Sequence, residues 1–178
     1  MPAMHAYLDD FGKITIWMNK NFYGGRSDYF SLVEGSSSQD LVVVNAEEHD
    51  TKMKYVLTCP ADGTFGKDYK IRESHGLMVP LQIRNIVSTD EFNRMFYYGG
   101  DDLGSIYHAT HTDFALWAPT AVSVTLHIHM NKKVDSYPMK RSDHGVWRMR
   151  VEGDLSHALY CYFVERNGCV VRSLDPYA

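Results

Sequence analysis

Apolar and polar residues exchange places at almost every step between Val122 and Met130. Val122, Val124, Leu126, Ile128 and Met130 alternate with Ser123, Thr125, His127 and His129. A period of two sends one set to each face of a β-strand. The rhythm returns in Gly145-Val146-Trp147-Arg148-Met149-Arg150-Val151. Leu159-Tyr160-Cys161-Tyr162-Phe163-Val164 runs toward Asn167-Gly168, a dipeptide suited to a two-residue hairpin turn, and Val170-Val171 leads back out. Phe114-Ala115-Leu116-Trp117 ends at Ala118-Pro119, and a turn is expected around Asn131-Lys132-Lys133. Short strands at this regular spacing predict a β-sandwich.

The first half is also strand-rich but less regular. Ile14-Thr15-Ile16-Trp17-Met18 follows a turn at Asp10-Phe11-Gly12-Lys13. Leu41-Val42-Val43-Val44 reads as a short buried strand, and Lys54-Tyr55-Val56-Leu57-Thr58 as a strand ending at the turn Cys59-Pro60-Ala61-Asp62-Gly63. Lys67-Asp68-Tyr69-Lys70-Ile71 and Val79-Pro80-Leu81-Gln82-Ile83 are further strands; Pro80 places the second at an edge or a strand start. Gly35-Ser36-Ser37-Ser38-Gln39 reads as a flexible loop. Asp90-Glu91-Phe92-Asn93-Arg94-Met95 is a single helical turn where the pattern breaks. The expected fold is all-β, two tandem immunoglobulin-like β-sandwich modules over residues 1–92 and 93–178.

Composition narrows the chemistry. The net charge is -4 with neutral histidines, so neither nucleic acid nor an anionic membrane is an expected partner. Aromatics make up 13% of the chain, which suits pleated sheets and also sugar binding, because aromatic faces stack on pyranose C–H groups. The three cysteines form no CxxC pair. A turn at Asn167-Gly168 would pair Arg166 with Cys169 and leave Cys161 too far along the strand to bridge it, so reduced thiols are expected. Met1–Asp10 shows no basic start followed by an apolar run, which reads as a cytoplasmic chain without a signal peptide.

From Phe96 onward the sequence resembles the family 48 carbohydrate-binding module that precedes the catalytic barrel of α-glucan debranching and branching enzymes. The resemblance rests on Tyr98-Gly99-Gly100-Asp101-Asp102-Leu103-Gly104, Thr112-Asp113-Phe114-Ala115-Leu116-Trp117-Ala118-Pro119-Thr120-Ala121, Gly145-Val146-Trp147, Tyr160-Cys161-Tyr162 and Asp175-Pro176-Tyr177-Ala178, in that order. The first half is similar to the extra N-terminal module of type I pullulanases. It shares Ala6-Tyr7-Leu8-Asp9-Asp10, Thr64-Phe65-Gly66-Lys67, Leu81-Gln82-Ile83 and Phe96-Tyr97-Tyr98-Gly99. The resemblance implies a non-catalytic front end that contacts α-glucan oligosaccharides, packs on a catalytic (β/α)₈ barrel, or does both. The family continues into that barrel after Asp-Pro-Tyr-Ala, so a truncated chain is expected here, with weak homodimerisation through the face the barrel would cover.

Family 13 hydrolases use two carboxylates at the ends of barrel strands. No strand–helix alternation suggests a barrel here. Asp9-Asp10, Glu47-Glu48 and Asp101-Asp102 are sequence neighbours, which strands send to opposite faces, and they read as solvated turn acids. No catalytic residue is therefore expected. No cofactor site is read either, since Phe22-Tyr23-Gly24-Gly25-Arg26 lacks the flanking strand and helix of a phosphate loop. His127 and His129 share one strand face and could serve a metal with help from His108, His111 or His144, although exposed strand histidines are the simpler reading.

The resemblance also supplies sugar-binding candidates. Relatives of the first module carry Gln-Ile-Gly and then Arg after the last strand. Here Arg84 replaces that Gly and Ser88 stands where the Arg would fall, which leaves Arg84 as the donor. Tyr7 matches the family and could stack. In the second module Cys169-Val170 occupies the place of a stacking aromatic, so Lys132, Lys133, Tyr97 and Tyr98 become the candidates. Trp117 is expected beneath its own sheet. Trp147, between Val146 and Arg148, is read as half exposed, either a sugar anchor or part of the core.

Overall fold

The computed structural model describes residues 2–59 and 65–177. The expected turn at Pro60-Ala61-Asp62-Gly63, and Thr64, lie outside the described residues. The chain divides into two compact units, Met1–Arg94 and Met95–Ala178.

Unit 1 contains β1 (Met4–Asp10), β2 (Lys13–Asn19), β3 (Phe30–Glu34), β4 (Ser37–Leu41), β5 (Val43–Glu48), β6 (Lys52–Thr58), β7 (Tyr69–Glu73) and β8 (Met78–Ile83). Their lateral order is β4-β3-β7-β8-β1-β2-β6-β5. The hinge of this arrangement is β8. Its first half pairs antiparallel with β7, through Lys70↔Pro80. Its second half pairs parallel with β1, from Ala6↔Leu81 to Leu8↔Ile83. Pro80 sits at the changeover, where its lack of an N–H breaks no continuous ladder. Each half of β8 is thus an edge within its own layer, as Pro80 suggests, although the whole strand lies inside the sheet order.

The two layers enclose one core. Met4, Ala6 and Leu8 of β1, Ile14, Ile16 and Met18 of β2, and Leu57 of β6 are almost fully buried. They meet Phe30 and Leu32 of β3, Ile71 of β7 and Leu81 of β8. Every second residue of β1 and β2 is inside, as period two requires.

Two sequence expectations fail in this unit. Gly35–Gln39 is not a flexible loop: Gly35-Ser36 is a two-residue turn, and Ser37-Ser38-Gln39 run along β4 in register with β3. This polar edge strand is held by its backbone ladder and by Ser31 Oγ donating to Asp40 Oδ1 at 2.8 Å, so hydropathy does not reveal it. The run Leu41-Val42-Val43-Val44 is not a buried strand. Leu41 ends β4 in the core, whereas Val42, Val43 and Val44 are exposed where the chain moves to the opposite edge and starts β5.

The turn between β7 and β8 is organised by a fully buried acid. Glu73 accepts the backbone N–H of Leu77 at 2.7 Å on one oxygen. Its other oxygen receives the backbone N–H of His75 at 2.8 Å and lies 2.8 Å from His75 Nδ1. Tyr23 stacks on the imidazole, ring centroids 3.7 Å apart. A short helix, α1 (Asp90–Phe96), follows where the sequence places a helical turn.

Unit 2 has two four-stranded layers. One is β13 (Lys140–Arg141), β14 (Val146–Glu152), β10 (His111–Trp117) and β9 (Gly104–Tyr107), in that lateral order. The other is β12 (Lys133–Pro138), β11 (Ser123–Met130), β15 (Leu159–Arg166) and β16 (Cys169–Ser173). Phe114, Leu116, Trp147 and Val151 from the first layer pack on Val124, Leu126, Ile128 and Tyr162 from the second. The alternation of Val122–Met130 therefore reports burial faithfully. Asn167 and Gly168 both take positive φ, 53° and 72°, and set Arg166 opposite Cys169. Cys161 and Cys169 carry free thiols.

Gly145 closes the loop from β13 into β14. Its φ is +74°, and a Cβ there would lie 2.5 Å from Pro119 Cα. Gly145→Ala would combine left-handed backbone strain with overpacking against rigid backbone. We expect it to destabilise unit 2 by about 2 kcal/mol or more, read as an earlier urea midpoint with an unchanged slope.

Candidate functional site

The outward residues of β1 and β2 form a polar and aromatic face. In β1 these are His5, Tyr7 and Asp9, and in β2 Thr15 and Trp17, each interleaved with the buried set. Pairing aligns His5 with Trp17 and Tyr7 with Thr15. It also sets Gln82 of β8 beside Tyr7 and Lys54 of β6 beside Trp17.

Arg84 leaves β8 and folds back over this face. Its guanidinium carbon lies 3.8 Å from the centre of the Tyr7 ring. Nε donates to Asp9 Oδ1 at 2.7 Å, and Nη2 donates to Asp9 Oδ2. A planar cation stacked on a phenol and forked onto a carboxylate loses little further rotamer freedom on meeting a ligand. Burial acts to raise the Asp9 pKa, but the Arg84 hydrogen bond and charge outweigh it and hold the carboxyl below its ordinary range. Tyr7 and Arg84 are thus brought into one site. Because Arg84 covers one face of the Tyr7 ring, a ligand here meets the guanidinium and the ring rim.

Trp17 extends the face. Lys54 Nζ lies 6.0 Å from the centre of its ring, and His49 packs against it at 5.0 Å between centroids. Glu47 accepts from Lys54 at 3.1 Å. Sequence reading assigned Trp17 no role, yet its position two residues beyond Thr15 in a strand with buried Ile14, Ile16 and Met18 marks it as outward. Nor are the adjacent acids simply solvated turn residues. Asp9 holds Arg84, Glu47 holds Lys54, Glu48 holds Lys20, and Asp102 holds Arg148. Except for Lys54, seven residues from Glu47 across a hairpin, the cations come from residues distant in sequence, which local inspection could not reveal.

In unit 2 the structure decides Trp147 in favour of the core and overturns the expectation that Trp117 lies beneath its own sheet. Trp147 is 5% exposed, inside the core, with Nε1–H donating to the Ala118 carbonyl at 3.0 Å. Trp117 is 41% exposed, and its Nε1–H donates to the Phe96 carbonyl at 2.9 Å. In the β10–β14 register Leu116 faces Trp147 and Trp117 faces Val146, so Trp147 shares the inward set of Phe114 and Leu116. The polar neighbour Arg148 belongs to the outward set. Buried in this way, Trp147 offers no sugar-stacking face.

Tyr97 is exposed, whereas Tyr98 is engaged: its hydroxyl donates to Asp102 and accepts from Arg148 Nη2 at 2.7 Å. Arg148 also donates from Nη1 to Asp102 at 2.6 Å. Beside this cluster an open groove of about 600 Å³ runs over the outer face of β9, β10 and β14, lined by residues including Ile106, Ala115, Lys140 and Arg148. Lys132 and Lys133 lie at the β11–β12 turn, exposed, with Asn131 and Lys132 at φ 51° and 65°. They are on the other layer from the groove. His127 packs on the Phe163 ring at 4.3 Å, and among the described residues neither it nor His129 joins a group of three metal-ligating side chains.

Residues 4–88 match the family model of the pullulanase N1-terminal domain, and residues 102–178 match carbohydrate-binding module 48, the isoamylase N-terminal domain. A pullulanase of Bacillus subtilis strain 168 is 34% identical over 179 aligned residues, covering 99% of this chain and 24% of that protein. The crystal structure of a pullulanase complexed with maltotriose, from Anoxybacillus sp. LM18-11, superposes with a TM-score of 0.92 at 32% identity over 99% of this chain and 26% of that one. A Bacillus subtilis strain 168 type I pullulanase complexed with maltose gives a TM-score of 0.92 at 32% identity, covering 100% of this chain and 25% of that one. The chain spans about a quarter of the length of these relatives. Two layered β-units, each matched by its own family model, make residues 4–88 a member of the pullulanase N1-terminal domain family and residues 102–178 a member of the family 48 carbohydrate-binding modules.

Proposed function

We propose that this chain is the accessory, non-catalytic region of a debranching hydrolase acting on α-1,6 bonds of pullulan and branched α-glucans, and that unit 1 contacts the glucan chain. The observation that carries the reading is the Arg84–Tyr7–Asp9 arrangement beside Trp17. A sugar ring presents hydroxyls at its rim and C–H groups on its faces. Arg84 and Gln82 offer donors for the hydroxyls, Asp9 offers acceptors, and Trp17 and the Tyr7 rim offer apolar contact. Support also comes from the whole-chain relative crystallised with maltotriose. The hydrolytic acids would be supplied by a catalytic barrel.

Unit 2 supports a second role, packing on that barrel. Ile106 and Trp117, each 41% exposed, give the outer face of its β9–β10–β14 sheet an apolar component among charged side chains. The position after the Asn167-Gly168 turn holds exposed Val170 in place of an aromatic, which favours packing over sugar stacking there.

Calorimetric titration with maltotriose tests the first role. Saturable binding in the millimolar range or tighter is expected, weakened about tenfold or more in Arg84→Ala through loss of charged hydrogen bonds. Absence of saturable heat, or equal binding by Arg84→Ala and Tyr7→Ala, would remove the glucan role and leave unit 1 as a scaffold.

The Arg84–Asp9 tie has its own pH signature. The Asp9 carboxyl is depressed in the folded state. Its stabilisation is therefore complete above the unfolded value near about pH 4 and is lost as pH falls through the lower folded value. Asp9→Asn should cost about 0.5–1 kcal/mol at pH 7 for this partly exposed pair. Urea unfolding at neutral and strongly acidic pH should show that difference shrinking with acid; a constant difference would assign the cost to packing.

A further inference from the structure

The β9–β10 hairpin places three metal-ligating side chains on one face. His108 and His111 flank its turn and exchange both backbone hydrogen bonds, His108 N–H to His111 O at 2.8 Å and His111 N–H to His108 O at 3.3 Å. Residues paired this way stand directly opposite and share a face. Asp113 follows His111 by two positions in β10, which puts it on that face as well. The imidazole rings stack, with centroids 4.5 Å apart and planes at 23°. One ligand atom from each of the three residues lies within 4.8 Å of the other two.

We propose that His108, His111 and Asp113 form a binding site for a borderline divalent transition-metal ion, of the Zn²⁺, Ni²⁺ or Cu²⁺ class. Two imidazoles and one carboxylate suit these ions and fit poorly the all-oxygen preference of Mg²⁺ or Ca²⁺. Bonds of about 2.0–2.2 Å place tetrahedral ligand atoms about 3.4 Å apart. Reaching that spacing takes small rotations of side chains that already stand together. His108 is exposed and His111 partly so, which leaves room for these rotations and for water in the remaining positions.

Arg150 sets the orientation of the third ligand. Its Nε donates to Asp113 Oδ1 at 2.7 Å and its Nη2 to Oδ2 at 2.9 Å. Each carboxylate oxygen keeps a further lone pair, and His111 Nε2 lies 3.6 Å from Oδ2. Arg150 is thus an outer partner that fixes the carboxylate. Bound metal would cross-link the two strands at the turn end of the β9–β10 hairpin.

The test is calorimetric titration of the whole chain with Zn²⁺ alone near pH 7.5, paired with imidazole resonances in the NMR spectrum. One ion per chain is expected, saturating below about 1 mM, with the His108 and His111 resonances shifting together. His108→Ala and His111→Ala should abolish this binding, and Asp113→Asn should weaken it about tenfold or more. His108 lies on an exposed turn, so unchanged circular dichroism of His108→Ala establishes that the fold is kept. Lack of saturation below 1 mM overturns the proposal. So does binding that survives in His108→Ala, or shifts confined to His127 and His129.

Discussion

The passage of β8 from one layer to the other is the constraint on which unit 1 depends. Its first half completes the ladder of β7 and its second half that of β1. Without this transfer β1-β2-β6-β5 and β4-β3-β7 would be separate sheets, joined only by the packing of their inward side chains. With it, Leu81 joins Ile71 and Phe30 in the same core as Ile14 and Leu57. Proline suits the transfer point because it has no N–H to leave unpaired where one ladder gives way to the other. Unit 2 meets the same need differently, with two antiparallel layers whose inward sets close on Tyr162 and Trp147.

Once one face of every central strand is committed to the core, chemistry is left to the outward set. That set is tied across strands by planar ion pairs. Arg84 forks onto Asp9, Arg150 onto Asp113, and Arg148 joins Asp102 and Tyr98. Partly exposed pairs of this kind contribute little to stability individually. Their larger effect is to fix the direction of long side chains, so that donors and rings stand ready at the surface. In unit 1 the result is an aromatic and cationic surface built from Tyr7, Trp17 and Arg84; on the β9–β10 hairpin it is a carboxylate held beside two imidazoles.

The tryptophans show where strand reading loses precision. Trp147 sits between Val146 and Arg148, both of which share a face opposite to it. Val146 is apolar yet belongs to the outward set, covered through its position at the start of β14 rather than by the sandwich core. One apolar residue out of phase left both readings of Trp147 open, and the β10–β14 register is what assigns it to the inward set and Trp117 to the outward one. Where no residue broke the phase, as in β11, burial followed the pattern.

The sequence by itself determined that the chain is all-β, that it holds β-sandwich modules in tandem, and that these resemble the front of a pullulanase. Those properties reside in local periodicity, turn dipeptides and short motifs, all of which act over a few residues. Its hairpin turns were legible for the same reason: Asn167-Gly168 carries the left-handed preference in its own covalent structure. Only the tertiary structure decided that Ser37–Gln39 forms a strand, that Val42–Val44 faces outward, that Arg84 lies on Tyr7, and that Asp113 stands beside two histidines and Arg150. Each of these depends on which strand lies alongside. Strand partners are chosen by burial summed over a whole sheet, a quantity that no short window of sequence contains.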